Sequence, residues 1–149
     1  MTLPRISHCK IKGEYAESAF LARAIALGFR VSKPWGDSAP YDFILEKKLS
    51  VGVRRLRARI FRVQVKSAWV RTSYGRYRIR TSGTGAARRM RGYSPAEVDF
   101  VIAWVAPLDL WYVTPVAAIR SKDTIALRPD LPKNAGRYER YREEWGLLR

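Results

Sequence analysis

The sequence has one cysteine, one histidine and no long apolar run, and each shortage excludes a class of protein. Cys9 alone cannot form an internal disulfide, which favours a reducing compartment, and we expect the cytoplasm. One cysteine and one histidine are too few ligands for a structural zinc site. The longest apolar stretch, residues 100–108, is much shorter than the ~20 residues of a membrane helix. We therefore expect no membrane association.

Acidic residues are also scarce, and one long part of the chain has none. The 149 residues include 29 Lys and Arg against 13 Asp and Glu, for a formal net charge of +16. Between Lys47 and Ala96 no acid occurs, while fifteen basic residues are interleaved with aromatic ones. Arginine forks bind phosphate oxygens and flat rings stack on bases, so the pattern predicts a nucleic-acid partner, expected to be double-stranded DNA. A basic surface that serves only solubility is the plainer alternative.

The predicted DNA contacts are arginines of this acid-free region. They are Arg54, Arg55, Arg57, Arg76, Arg78, Arg80, Arg88, Arg89 and Arg91.

Length and hydrophobic patterning predict one domain over residues 1–149 with both helices and strands. An alanine-rich and leucine-rich segment, residues 14–27, predicts the first helix, which Gly28 ends. The predicted strands cover residues 29–32, 41–46, 58–69, 73–82, 98–105 and 110–115. A short helix at 115–121 and a tail helix packed on the sheet complete the pattern. Residues 47–57 fit either a basic loop or the extension of a hairpin.

The polar residues of one predicted strand need an explanation. Gln64 and Lys66 alternate with Val63 and Val65, so the two polar side chains share one face. Burying an amide and an ammonium is unfavourable unless both are paired. An edge strand with solvated side chains is one explanation, and a functional site is the other.

Three acids stand near the starts of predicted elements. Taken singly, Glu14 fits the helix dipole, Asp42 an exposed turn, and Asp99 a cap or an ion pair. Glu14 and Asp42 would, however, converge with Gln64 if the helix and the two strands meet. Oxygen ligands from these three residues suit Mg²⁺, which takes few protein ligands. Lys66 would then face the attacking water and the scissile phosphate.

Five short motifs in order resemble the PD-(D/E)XK nuclease superfamily. They are GE (13–14), GDSAPYD (36–42), QVK (64–66), DFVIAW (99–104) and WYVTP (111–115). The sequence is most similar to the branch that contains a cyanobacterial group I intron homing endonuclease, over about residues 11–118. The resemblance implies an α/β (α+β), restriction-endonuclease-like fold, in which helices flank a mixed central β-sheet.

The resemblance also implies an activity and its residues. It implies a Mg²⁺-dependent DNA endonuclease of the homing or restriction type, with Mn²⁺ expected to substitute. The catalytic positions fall on Glu14, Asp42, Gln64 and Lys66, and the first three are the implied metal ligands. Gln64 stands where most of the superfamily has an acid.

Two other functions stay open. One is a structure-specific nuclease of the Holliday junction resolvase type. The other is a nucleic-acid-binding protein with a degenerate, non-catalytic site, which the neutral Gln64 would explain. Cutting both strands with one site per chain predicts a homo-oligomer, a dimer or higher.

Overall fold

The computed structural model describes residues 6–51, 55–82, 92–119 and 122–149. The helices and strands of this part, in chain order, are α1 (Cys9–Ala26), β1 (Arg30–Ser32), β2 (Phe43–Val51), β3 (Arg55–Ala68), β4 (Tyr77–Arg80), β5 (Phe100–Val105), β6 (Leu110–Pro115), α2 (Val116–Ile119) and β7 (Thr124–Leu127). Short 3₁₀ turns cover Ala106–Leu108, Glu139–Tyr141 and Trp145–Leu148. Within these ranges, no helix has the length and apolar character needed to span a bilayer.

The central sheet is mixed, as the family resemblance implies. Its strand order is β1-β2-β3-β5-β6, and β4 and β7 form a separate antiparallel pair. β3 runs parallel to β5, whereas β2 and β6 are antiparallel to their neighbours. β3 changes partner along its length, because it pairs with β2 up to Val63 and with β5 from Val63 onwards.

The two faces of the sheet are covered by different elements. Ala16, Phe20 and Ala24 of α1 pack in one core with Val63 and Val65 of β3. The opposite face packs against β4, β7, α2 and part of the tail. Because the valines face α1, Gln64 and Lys66 point to the other side of β3. This alternation confirms the period-two interpretation of the strand.

The predicted tail helix is wrong, although its packing on the sheet is confirmed. Tyr138 and Leu148 are buried, but the backbone between them forms two 3₁₀ turns. Glu139 is buried and accepts a hydrogen bond of 2.7 Å from the hydroxyl of Tyr112. Glu143 has a φ of 51°, which a continuous right-handed helix excludes. The buried hydrogen bond of Glu139 and the left-handed backbone of Glu143 therefore set the path of the tail, and its helical periodicity does not.

The remaining differences concern element ends. β2 continues to Val51 and β3 begins at Arg55, so residues 47–51 and 55–57 extend a hairpin. β4 is shorter than predicted, and the four-residue β7 was not predicted. α1 begins at Cys9, five residues earlier than expected, because Gly13 is accommodated inside the helix rather than marking its start.

Candidate active site

The site lies where β2 begins beside β3. The backbone N–H of Asp42 donates to the Val63 carbonyl over 2.9 Å, so the aspartate is the last residue held against β3 before β2 starts. Its Oδ2 accepts hydrogen bonds from the Val65 N–H at 2.7 Å and from Gln64 Nε2 at 2.5 Å. Backbone and side chain therefore fix this carboxylate, and Oδ1 is the oxygen that a ligand can approach.

Four side chains from three separate elements line two adjoining cavities of about 190 Å³ and 490 Å³. These are Glu17 of α1, Asp42 before β2, and Gln64 and Lys66 of β3. The smaller cavity is closed further by the turn between β1 and β2 and by Tyr93. The structure thus brings together three of the four predicted catalytic residues, and it adds Glu17.

The charges in this cavity perturb one another. Burial raises the pKa of Asp42, and the nearby carboxylate of Glu17 acts in the same direction. The Val65 N–H, the Lys66 charge and the Gln64 amide oppose that rise. Burial lowers the pKa of Lys66, while Asp42 and Glu17 partly restore it. A desolvated acid and base that depend on each other are typical of functional sites.

Gln64 is 8% exposed, and its amide is directed by a specific partner. The amide nitrogen donates to Asp42, so the amide oxygen is the atom left to serve as a ligand. A glutamate at this position could not donate and would place two carboxylates in contact. The glutamine therefore holds Asp42 in place while offering a neutral oxygen.

Glu17 has a cationic partner on the turn after β1. Lys33 Nζ lies 2.7 Å from Glu17 Oε2, and this hydrogen bond raises the pKa of the lysine. The same ammonium lies over the ring of Phe43, 5.6 Å from its centroid. Lys33 is thus a counter-ion for a cavity that contains two carboxylates.

Glu14 is not brought to the cavity. Glu14 is exposed in the second turn of α1, and its side chain lines neither of the two cavities. Glu17 follows three residues later, next to the buried Ala16, at the edge of the apolar stripe of α1. The position of Glu17 beside the apolar stripe was the signal in the sequence for a carboxylate that faces the site. That signal was missed because the helix was predicted to begin at Glu14.

Asp99 has a structural role, as one of its sequence interpretations proposed. Arg62 contacts it through an ion pair of 2.9 Å and through its backbone N–H at 2.7 Å. Burial opposes ionisation, but these hydrogen bonds outweigh it and hold the pKa of Asp99 below its usual range. Asp99 thereby ties the start of β5 to β3.

An exposed row of arginines borders the site. Arg76, Arg78 and Arg80, here called the arginine face, are exposed, whereas the alternating Tyr77 and Ile79 are buried. The charge of Arg80 lowers the pKa of Lys66, so this face extends up to the cavity. The side chains of the other predicted DNA contacts lie outside the described residues: Arg54, Arg55, Arg57, Arg88, Arg89 and Arg91.

The donor set fits a hard divalent cation. Within residues 6–51, 55–82, 92–119 and 122–149, no three Asp, Glu, His or Cys side chains come together. Glu17 and Asp42 bring two carboxylates to the cavity, and the amide oxygen of Gln64 is a neutral oxygen that could complete a set of three ligands. Mg²⁺ accepts one or two carboxylates and retains several waters. A cation here would also offset the desolvation that raises the pKa of Asp42.

Comparison with known proteins agrees with this geometry. The sequence model of the PD-(D/E)XK endonuclease family matches residues 7–148. Among solved structures, the chain is similar to a bacterial homing endonuclease, I-Ssp6803I, with 32% identity and a TM-score of 0.72. That likeness covers 96% of this chain and 92% of the other. No curated protein sequence matches. All the elements from α1 to the last 3₁₀ turn fall within the residues that the family model matches.

Proposed function

Because the chain belongs to the PD-(D/E)XK endonuclease family, we propose that it hydrolyses phosphodiester bonds of double-stranded DNA with the help of a divalent metal ion. The observation that supports this most is the convergence of Glu17, Asp42, Gln64 and Lys66 on one cavity. The similarity to a homing endonuclease favours a homing role over a restriction or junction-resolving role.

Three side chains would hold the metal ion. Asp42 would bind it through Oδ1, Glu17 through the carboxylate that Lys33 now contacts, and Gln64 through its amide oxygen. Bound Mg²⁺ would polarise the phosphate and lower the pKa of the attacking water. Mn²⁺ takes the same oxygen ligands and should substitute.

Lys66 would act directly on the substrate. Burial lowers the pKa of its ammonium, and the charge of Asp42 opposes that fall and so favours the protonated form. A hydrogen bond from this ammonium to the scissile phosphate places positive charge where negative charge develops in the transition state. The lysine therefore needs to be protonated, and Asp42 needs to be ionised, in the active form.

The arginine face would guide the DNA to this cavity. Its three side chains are exposed and no acid lies between them in the sequence, so they can contact successive phosphates, although Arg80 Nε also donates to Ser82 Oγ at 3.1 Å. Each phosphate contact releases counter-ions and makes the affinity depend on salt. One active site per chain would cut one strand, so we propose that a homodimer or larger assembly cuts both.

The test uses purified protein and supercoiled plasmid in Mg²⁺, in Mn²⁺ and in EDTA. Asp42→Asn and Lys66→Met should each abolish nicking while DNA still binds, and Asp123→Asn, an exposed acid elsewhere, should cut normally. Wild-type protein that shifts DNA without cutting it in either metal would instead support the non-catalytic function. Sequencing of the ends cut from random DNA separates the homing and restriction roles, and a four-way junction tests the resolvase role.

A further inference from the structure

One tryptophan takes no part in the core. Trp35 is fully exposed, at 101% of its reference area. The other four pack together: Trp104 and Trp111 are buried with stacked rings 5.3 Å apart, and Trp69 and Trp145 pack against the same core. The exposed indole is the largest apolar side chain that folding leaves in water within the described residues.

Trp35 lies at the rim of the smaller cavity. Lys33, Pro34 and Gly36 all line that cavity together with Asp42, so the indole is carried by a segment that contacts the site on both sides. Pro34 restricts the backbone before it, and Gly36 adopts a φ of 75°, which turns the chain sharply after it. The segment holds the ring outward at the entrance.

We propose that Trp35 stacks on a nucleobase that leaves the helical stack beside the scissile phosphate. This inference rests on the proposed function. Gln64 at the cavity floor is 8% exposed, so the DNA backbone must descend below the protein surface to reach it. Bases next to such a displaced phosphate lose stacking partners, and an aromatic ring at the entrance replaces one.

The surroundings of Trp35 favour a base over a protein surface. Its exposed neighbours are a cation, Lys33, an anion, Asp37, and the hydroxyl residue Ser38. A docking site for a second protein would need a continuous apolar patch around the ring. A single flat ring without an apolar surround matches one stacked base better than it matches a protein surface.

The experiment measures DNA binding in an Asp42→Asn background, so that the probe stays intact. The probes are a random-sequence duplex and the same duplex with a one-nucleotide gap, which exposes an unstacked base. Trp35→Ala should weaken binding of the gapped probe about 5-fold to 100-fold, the loss typical of one stacked base. Trp35→Phe keeps a ring and should stay close to the parent, whereas Trp35→Leu, which has bulk without a ring, should resemble alanine.

Fluorescence supplies a second readout. The parent should lose most of its acrylamide-accessible tryptophan emission when the gapped probe is added, and Trp35→Phe should lose much less, because only the half-buried Trp69 and Trp145 remain accessible in it. Equal affinity of the alanine variant and the parent for the gapped probe would overturn the inference. A changed oligomeric state of Trp35→Ala on ultracentrifugation, without a change in its affinity for the gapped probe, would also overturn the inference. The ring would then contact a second copy of the chain. Neither readout requires cleavage, so a protein that stacks but does not cut refutes only the proposed function.

Discussion

A matched pair of substitutions on α1 separates the two candidate helix acids. Glu17→Ala removes a carboxylate from the cavity, and Glu14→Ala removes one from an exposed position three residues earlier. If Glu17 holds the metal ion, its loss should cost about 3 kcal/mol of transition-state stabilisation, or roughly 100-fold in cleavage rate. Glu14→Ala should leave the rate within about twofold, as expected for a surface change.

Stability measurements test whether a loss of cleavage by Glu17→Ala comes from unfolding rather than from the loss of a metal ligand. Glu17→Ala breaks an ion pair with Lys33 whose lysine side chain is 62% exposed, so the pair contributes only about 0.2–1 kcal/mol. For a chain of this size the expected fall in Tm is about 2–4 °C at most. Plasmid nicking in Mg²⁺, DNA binding by fluorescence anisotropy, and thermal melts make up the assay. Glu14→Ala losing activity while Glu17→Ala retains it would refute the assignment from the structure and restore that from the sequence.

Four further predictions concern the same site. The cleavage rate should have a narrow bell-shaped pH profile. The raised pKa of Asp42 moves the acidic limb to higher pH, and the lowered pKa of Lys66 moves the alkaline limb below pH 10.5. Lys66→Arg should move only the alkaline limb, to higher pH. Gln64→Glu should bind Mg²⁺ more tightly without DNA in isothermal titration and melt at lower temperature without metal, because it opposes Asp42 instead of donating to it; equal metal affinity would remove it from the metal site. Lys33→Met should tighten Mg²⁺ binding about 1.5-fold to 5-fold by removing a competing ammonium, and weaker binding would contradict this. Replacing the arginine face with alanines should weaken binding of all DNA sequences and lower the salt slope by about one for each phosphate that is no longer neutralised, and an unchanged slope would place the DNA elsewhere.

The central strands were predictable because local pattern and tertiary environment agree. β6 occupies residues 110–115, as predicted, and β5 is buried throughout, as its continuous apolar run indicates. The tail was not predictable, because its aromatic spacing imitates a helix while Glu139 and Glu143 bind distant groups that a sequence does not reveal. The hydrogen bonds of these two carboxylates override local propensity.

The residues of the candidate site also divide into three that the sequence predicted and one, Glu17, that it did not. Gln64 and Lys66 were found because strand alternation fixes which side chains share a face, and Asp42 because it is an acid at the start of an apolar strand within the GDSAPYD motif. Glu17 was missed because the choice between two acids on one helix depends on the rotation of that helix against the sheet. That rotation follows from the packing of Ala16 and its neighbours, and a start moved by five residues was enough to favour Glu14.

The change of partner along β3 has a consequence for local opening. Residues 55–62 pair with β2, residues 64–68 pair with β5, and Val63 pairs with both. Amide hydrogens of one continuous strand should therefore exchange in two classes, each following the opening free energy of a different neighbour. If bound DNA tilts the hairpin formed by β2 and the first half of β3, the strand should bend at Val63, one residue before Gln64. Hydrogen exchange with and without DNA should then change by different factors in residues 55–62 and in residues 64–68, with the division at Val63.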